Sequence, residues 1–246
     1  MPVSTRINLP DLPFHILNRG NNKEPIFLDG SDYKYFLSLL LRFKKEYNPK
    51  IYHFCLMPNH IHLFLEPRVE GSLSKIMQKL TLTYAIYFNN KYGRVGHVWQ
   101  GRFRSSLVDK ENYFIYCGLY IELNPIRAGL VNKPEDWPWS SYNYYTSDKS
   151  DSNFNNLIDD DPYYLELGPD ISSRINNYRF QVNRIMEEEA INNIRSQLDK
   201  GILGNLEFQE KFKGRYKFLN SSPRPRGRPK NPHKYLLIRH NKSETV

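Results

Sequence analysis

Residues 51–66 read IYHFCLMPNHIHLFLE. Two apolar runs flank Pro58-Asn59, a pair that favours a tight turn. Each run is too short for a core helix, so the segment is expected to form a β-hairpin with arms 51–57 and 60–66. Side chains alternate along a strand, which puts Ile61, Leu63 and Leu65 on one face and His60, His62, Phe64 and Glu66 on the other. A lone hairpin is not stable in water, so this segment demands further strands and a helical layer.

The surrounding sequence supplies them. Residues 13–19, PFHILNR, read as a first strand, followed by a polar loop from Gly20 to Gly30. Residues 31–47 read as a helix capped by Ser31, with Tyr35, Leu37, Leu39 and Leu40 on its apolar side. Residues 72–92 form a second helix, with Leu73, Ile76, Leu80, Tyr84 and Tyr87 at helical spacing. Residues 102–108 read as a strand and 110–123 as a helix ended by Asn124-Pro125, because a residue before proline is pushed out of the helical region. The order β-α-β-β-α-β-α predicts an α+β fold: a ferredoxin-like split-βαβ antiparallel sheet with helices on one face and the other face free for a ligand. A helical C-terminal extension and a basic tail follow.

Charge divides the chain further. Residues 1–146 carry 18 Lys/Arg against 12 Asp/Glu, residues 147–210 carry 6 against 13, and residues 211–246 carry 11 against 1. The expected organisation is a domain over 1–146, an acidic linker over 147–162, a small helical extension over 163–218 and a basic tail over 219–246. Basic ends favour a polyanionic partner. Two cysteines inside apolar runs, Cys55 and Cys117, make no disulfide framework. No signal peptide is legible and no apolar run approaches the length of a membrane span, so a cytoplasmic, nucleoid-associated protein with no membrane partner is expected.

The open face of the second hairpin arm carries the first candidate site. Imidazoles at i and i+2 can reach one cation together, and neutral imidazole is the commonest side-chain metal ligand. Two ligands are too few for a closed structural site, so a third must come from elsewhere, with positions left for water and substrate. Glu66, on the same face, reads as an accompanying charge. The helix KENYFIYCGLYIELNPIRAGLV (110–131) presents Tyr113, Tyr116 and Tyr120 at helical spacing. Tyr113 and Tyr116 read as core packing with wet hydroxyls. Tyr120 and Asn124 share a face as i and i+4, and the Asn124 amide oxygen is available to complete a metal site.

MPNHIHLFLEP, HVWQGRFRSSLV (97–108) and YIELNPIRAGLV (120–131), in that order, resemble the single-tyrosine HUH transposases, in particular the REP-associated tyrosine transposase-like branch. The resemblance covers about residues 10–145. It implies a metal-dependent enzyme that cuts and rejoins single-stranded DNA at hairpin-associated sites. By that resemblance His60, His62 and Asn124 hold Mg²⁺ or Mn²⁺, and Tyr120 attacks phosphorus to give a 5′-phosphotyrosine. Two histidines and an amide also suit Zn²⁺ or Ni²⁺. Some relatives carry Gln at the third-ligand position.

Arg94, Arg102, Arg104 and Arg127 are candidates to track phosphates, with Gln100 among them and Trp99 to stack a base or simply to pack. RPRGRPK (224–230), with Arg226 and Arg228 around a glycine, resembles an AT-hook for the narrow minor groove of A·T-rich duplex; the alternative is a plain polybasic tail. Two other functions stay open: a non-catalytic ferredoxin-like nucleic-acid-binding module, and a relaxase or replication initiator. Monomer and homodimer are both compatible with the sequence.

Overall fold

The computed structural model describes residues 9–147, 154, 156–185 and 188–213. Its elements are β1 (Phe14–Arg19), α1 (Gly30–Tyr47), β2 (Lys50–Met57), β3 (His60–Glu66), α2 (Ser72–Tyr92), β4 (Arg104–Val108), α3 (Lys110–Glu122), α4 (Asn124–Arg127), α5 (Tyr142–Thr146), α6 (Pro162–Leu165), α7 (Ile171–Ile185), α8 (Glu188–Lys200), β5 (Ile202–Leu203) and α9 (Leu206–Lys213). The sheet runs β2-β3-β1-β4-β5. β1 lies antiparallel to both β3 and β4, β2 and β3 form the hairpin, and β5 joins β4 in parallel. The first four strands with α1 and α2 are the split-βαβ arrangement expected from the sequence.

Local chemistry sets the element ends. α1 is capped by Asp29 rather than Ser31: the Asp29 carboxylate accepts from the Ser31 and Asp32 N–H groups, and Asp32 answers as the third residue of a capping box. A carboxylate suits the positive end of the helix dipole better than a hydroxyl does. Asp109 caps α3 in the same way, through the Glu111 N–H. α3 stops at Glu122, and Asn124-Pro125 starts the short turn α4.

The face of β3 that carries His62 and Phe64 does not lie open. α3 covers it, with Phe114 packing on Phe64 at a centroid distance of 4.7 Å and on Tyr52 at 4.8 Å. The expectation of helices on one face holds for α1 and α2, while α3 fills the other. The physical reason lies in α3 itself, where Phe114, Cys117, Leu119 and Ile121 are all buried and need a second apolar surface.

The described residues beyond 146 pack into the same core. Leu157, Ile158, Tyr164 and Tyr178 are buried, and β5 extends the sheet. The outer edge of β2 is bonded to the chain itself: Trp139, Ser141 and Asp159 exchange backbone or side-chain hydrogen bonds with Leu56, Phe54 and Ile51. An occupied edge is protected from strand addition by another molecule. Among the described residues no helix is long and apolar enough to cross a membrane. Arg226, Arg228 and the AT-hook-like segment lie outside the described residues.

Candidate active site

His60 opens β3 and His62 follows two residues on. Their rings meet edge to face, with centroids 5.0 Å apart at 73°. β1 brings a third imidazole. His15 is paired with Phe64, one step diagonal from His62 on the same face, and its Nε2 lies 2.8 Å from His62 Nδ1. α3 brings Tyr120 edge-on to both, with centroids 6.2 Å from His15 and 6.5 Å from His62. Residues far apart in the chain thus converge on one end of the sheet.

The electrostatics there are one-sided. Burial lowers the His60 pKa to about 4, helped by Arg19. Burial lowers His15 to about 3, helped by Arg104 and Arg127. His62 is held well below its ordinary value by burial, then by His15, His60, Arg127 and Arg19. All three imidazoles are therefore neutral at neutral pH, the form that binds metals. The charged side chains that act on the three rings, Arg19, Arg104 and Arg127, are cationic and suit an anion.

The donor set fits a divalent ion in part. Two adjacent neutral imidazoles are suitable ligands. Among the described residues no group of three or more His, Cys, Asp or Glu stands ready to hold one. A further donor must be an amide, water or substrate. Asn124 Nδ2 donates to the Tyr120 and Ile121 carbonyls at 3.1 and 2.9 Å, which commits the amide nitrogen and leaves Oδ1. Glu66 does not belong to the centre. It sits at the far end of β3, bonded to Lys110, Arg68 and Tyr52.

Arg127 differs from the other candidate arginines. Its guanidinium carbon lies 4.3 Å from the Tyr120 ring centroid, and Nη2 donates to the Tyr120 carbonyl at 2.6 Å. Its Nε and Nη1 are buried without a hydrogen-bond partner among the described residues. Arg94 pairs with Glu24 and Arg104 with Asp199, both near the surface, and Arg102 is exposed. Trp99 is anchored by its indole N–H on the Thr81 carbonyl, and exposed Gln100 donates its backbone N–H to Arg19. Trp99, Arg102 and Phe103 line a cavity of about 790 Å³ with Gln78, Leu82 and Ile86 of α2.

Behind Tyr120 lies a buried polar cluster that gives no signal in a single sequence. His53 of β2 bonds Glu122 through Nδ1 at 2.8 Å and Asp161 through Nε2 at 3.0 Å. Ser141 and Tyr178 donate to the two Glu122 oxygens. Every one of these side chains is fully buried. Burial disfavours the His53 imidazolium, but Glu122 and Asp161 outweigh it and raise its pKa to about 9. The cluster ties the helix of Tyr120 to β2 and to the helices after residue 160.

Residues 8–124 match the family model described as "Transposase IS200 like". A Haemophilus influenzae protein named as a REP-associated tyrosine transposase is 25% identical over 135 residues, covering 48% of this chain and 76% of that protein. A solved REP-associated tyrosine transposase bound to a REP hairpin aligns at 19% identity with a TM-score of 0.48, covering 57% of this chain and 82% of that one. A Deinococcus radiodurans protein described as a transposase aligns at 13% identity and a TM-score of 0.35, over 55% of this chain and 98% of that one.

Proposed function

We propose, for a chain whose residues 8–124 place it among the IS200-like transposases, that it cuts and rejoins single-stranded DNA at hairpin-associated sites through Tyr120. The observation that carries this reading is the convergence of Tyr120 with His60 and His62 at one end of the sheet.

In the proposed reaction the Tyr120 phenol oxygen attacks phosphorus and the bond to the 3′ oxygen breaks. The phenolic proton is lost, and the departing oxygen takes up a proton to leave as a 3′-OH. The product is a 5′-phosphotyrosine that retains the energy of the phosphodiester, so a 3′-OH can reverse the step without ATP. A phenol with an ordinary pKa near 10 is a far better leaving group than an alkoxide, which suits a reversible step. His60, His62 and the Asn124 amide oxygen would hold Mg²⁺ or Mn²⁺; such an ion supplies Lewis-acid polarisation of the phosphate. Arg127, already against Tyr120, would meet the same phosphate with its uncommitted Nε and Nη1.

Arg94, Trp99, Gln100, Arg102 and Arg104 would guide the flanking strand, with the cavity beside Trp99 as a place for an unpaired base. Arg226 and Arg228 would add a second, duplex-directed contact from the tail. The chain would act in the cytoplasm on chromosomal or element DNA. A purely binding module would not need the tyrosine and histidines to meet, which is why the enzymatic reading is preferred.

The test uses labelled single-stranded hairpin oligonucleotides with Mn²⁺ and looks for an SDS-resistant protein–DNA adduct. The expected result is an adduct that retains a 3′ label, persists in Tyr116→Phe and is lost in Tyr120→Phe, while DNA binding survives in Tyr120→Phe. An adduct in Tyr120→Phe would overturn the assignment.

A further inference from the structure

We propose that Asn59 and His15 fix His60 and His62 in one and the same tautomer, with the proton on Nδ1 and the Nε2 lone pair presented to a divalent ion. The inference rests on the reading of His60 and His62 as ligands, and it assigns two positioning residues to them.

The argument for His60 is a chain of donors and acceptors. Asn59 Nδ2 donates to the Lys23 carbonyl at 3.0 Å. A carbonyl oxygen only accepts, so the amide cannot be turned the other way without setting two acceptors against each other. The amide oxygen therefore faces His60, 2.6 Å from Nδ1. It too can only accept, so Nδ1 carries the proton. With Nδ1 committed to Asn59, Nε2 is the one ring nitrogen left for an ion. The turn that carries Asn59 is itself pinned, since Gly20 donates to the Asn59 carbonyl and Ile26 to the Pro58 carbonyl.

For His62 the partner is another imidazole. His15 Nε2 and His62 Nδ1 lie 2.8 Å apart, and both rings are 4% exposed. At that distance the two nitrogens share one proton in a hydrogen bond. If it sat on His15, His62 would carry its own proton on Nε2 and that atom could not bind an ion. If it sits on His62 Nδ1, then Nε2 is free and His15 accepts. Nδ1 of His62 already faces His15, so only the second arrangement lets His62 serve as a ligand, through Nε2. A ligating histidine that donates its second N–H to a fixed acceptor is held in orientation and made a better donor. The two acceptors come from different elements, the β2–β3 turn and β1, so each ligand has its own support.

Nitrogen-15 NMR of histidine-labelled full-length protein, assigned with single histidine variants, reads the tautomers directly. Both His60 and His62 are expected with the proton on Nδ1 in the unmutated chain; an Nε2–H signal for either overturns the proposal, and this needs no buried substitution. Mn²⁺ affinity is then read by electron paramagnetic resonance in a Tyr120→Phe background with a single-stranded oligonucleotide, where no cleavage intervenes. His15→Phe and Asn59→Leu are expected to weaken Mn²⁺ binding roughly 10–100-fold. His15→Gln and Asn59→Asp, which keep an acceptor, are expected to recover much of it. Unchanged affinity in His60→Ala and His62→Ala would sink the ligand reading itself. Affinity lost in those two but intact in His15→Phe and Asn59→Leu would sink the positioning roles alone.

Discussion

The guanidinium of Arg127 lies over the ring of Tyr120, 4.3 Å from centroid to carbon, while its Nη2 donates to the Tyr120 backbone carbonyl at 2.6 Å. One side chain thus fixes both the backbone and the ring of the proposed nucleophile. A cation over an aromatic face is worth about 0.5–2 kcal/mol, enough to select one ring orientation. Arg127→Lys keeps the charge but loses the planar contact and the fork of donors. Adduct formation is expected to slow on the order of 10²-fold, the scale of a misplaced reacting group. Oligonucleotide affinity in a Tyr120→Phe background should change far less. Equal losses in rate and affinity would mean that Arg127 serves only as a DNA contact.

Gly118 is where α3 meets β2. A Cβ there would stand 2.5 Å from His53 Nε2 and 2.6 Å from Cε1, and His53 is clamped by two carboxylates and has nowhere to go. Gly118→Ala should lift α3 and with it Tyr120, two residues on. The expected outcome is a lower unfolding midpoint, by roughly 1–3 kcal/mol of overpacking, together with slower adduct formation. A variant with unchanged stability and rate would show that the helix tolerates the shift.

The His53 cluster makes stability depend on pH in a defined direction. The folded pKa of His53 is raised to about 9 from 6.5. Its stabilising share is therefore complete below about pH 6.5 and is lost as pH rises through about 9. Urea unfolding between pH 6 and 10 should show the unmutated chain losing stability relative to His53→Gln, with the two curves converging at the alkaline end. Glu122→Gln removes one of the two carboxylates while Asp161 still pairs His53, so the His53 pKa should fall and the pH dependence should shrink. A pH-independent difference between wild type and His53→Gln would argue that His53 is neutral.

Arg102 is exposed and Arg104 shares its charge with Asp199. If the strand passes this loop, Arg102→Ala should flatten the salt dependence of single-strand binding by about 0.7 in the log–log slope, one released counterion. Arg104→Ala should have a smaller effect, because its charge is already partly met. The measurement is oligonucleotide affinity over a salt series; an unchanged slope for Arg102→Ala would move the DNA path elsewhere.

Much of the fold was legible because the signals were local. The hairpin at 51–66, the helix over 72–92 and the first strand follow from apolar spacing and turn chemistry, and their observed bounds agree to within a residue. The Asp29 cap was misread as Ser31 because adjacent residues offer similar acceptors, and only backbone geometry decides between them. The candidates His60, His62, Tyr120 and Asn124 are legible as motifs. Their supporting residues were not: His15, His53 and Glu122 sit in apolar or ordinary segments and acquire meaning only through strand register and helix docking.

What the sequence determined by itself is therefore the set of elements, their order and the reactive residue types, since periodicity, capping and turn residues act over a few positions. Tertiary structure decided three things. It closed the second sheet face with α3, because that helix had apolar surface on the side the sheet needed covered. It set His15 against His62, because β1 pairs with β3 in one register. And it turned Arg127 inward onto Tyr120 rather than out toward solvent, because α4 follows α3 after a single residue and brings the guanidinium to the Tyr120 carbonyl. Each of these is a long-range packing choice, and a chain read one segment at a time carries no local term that specifies it.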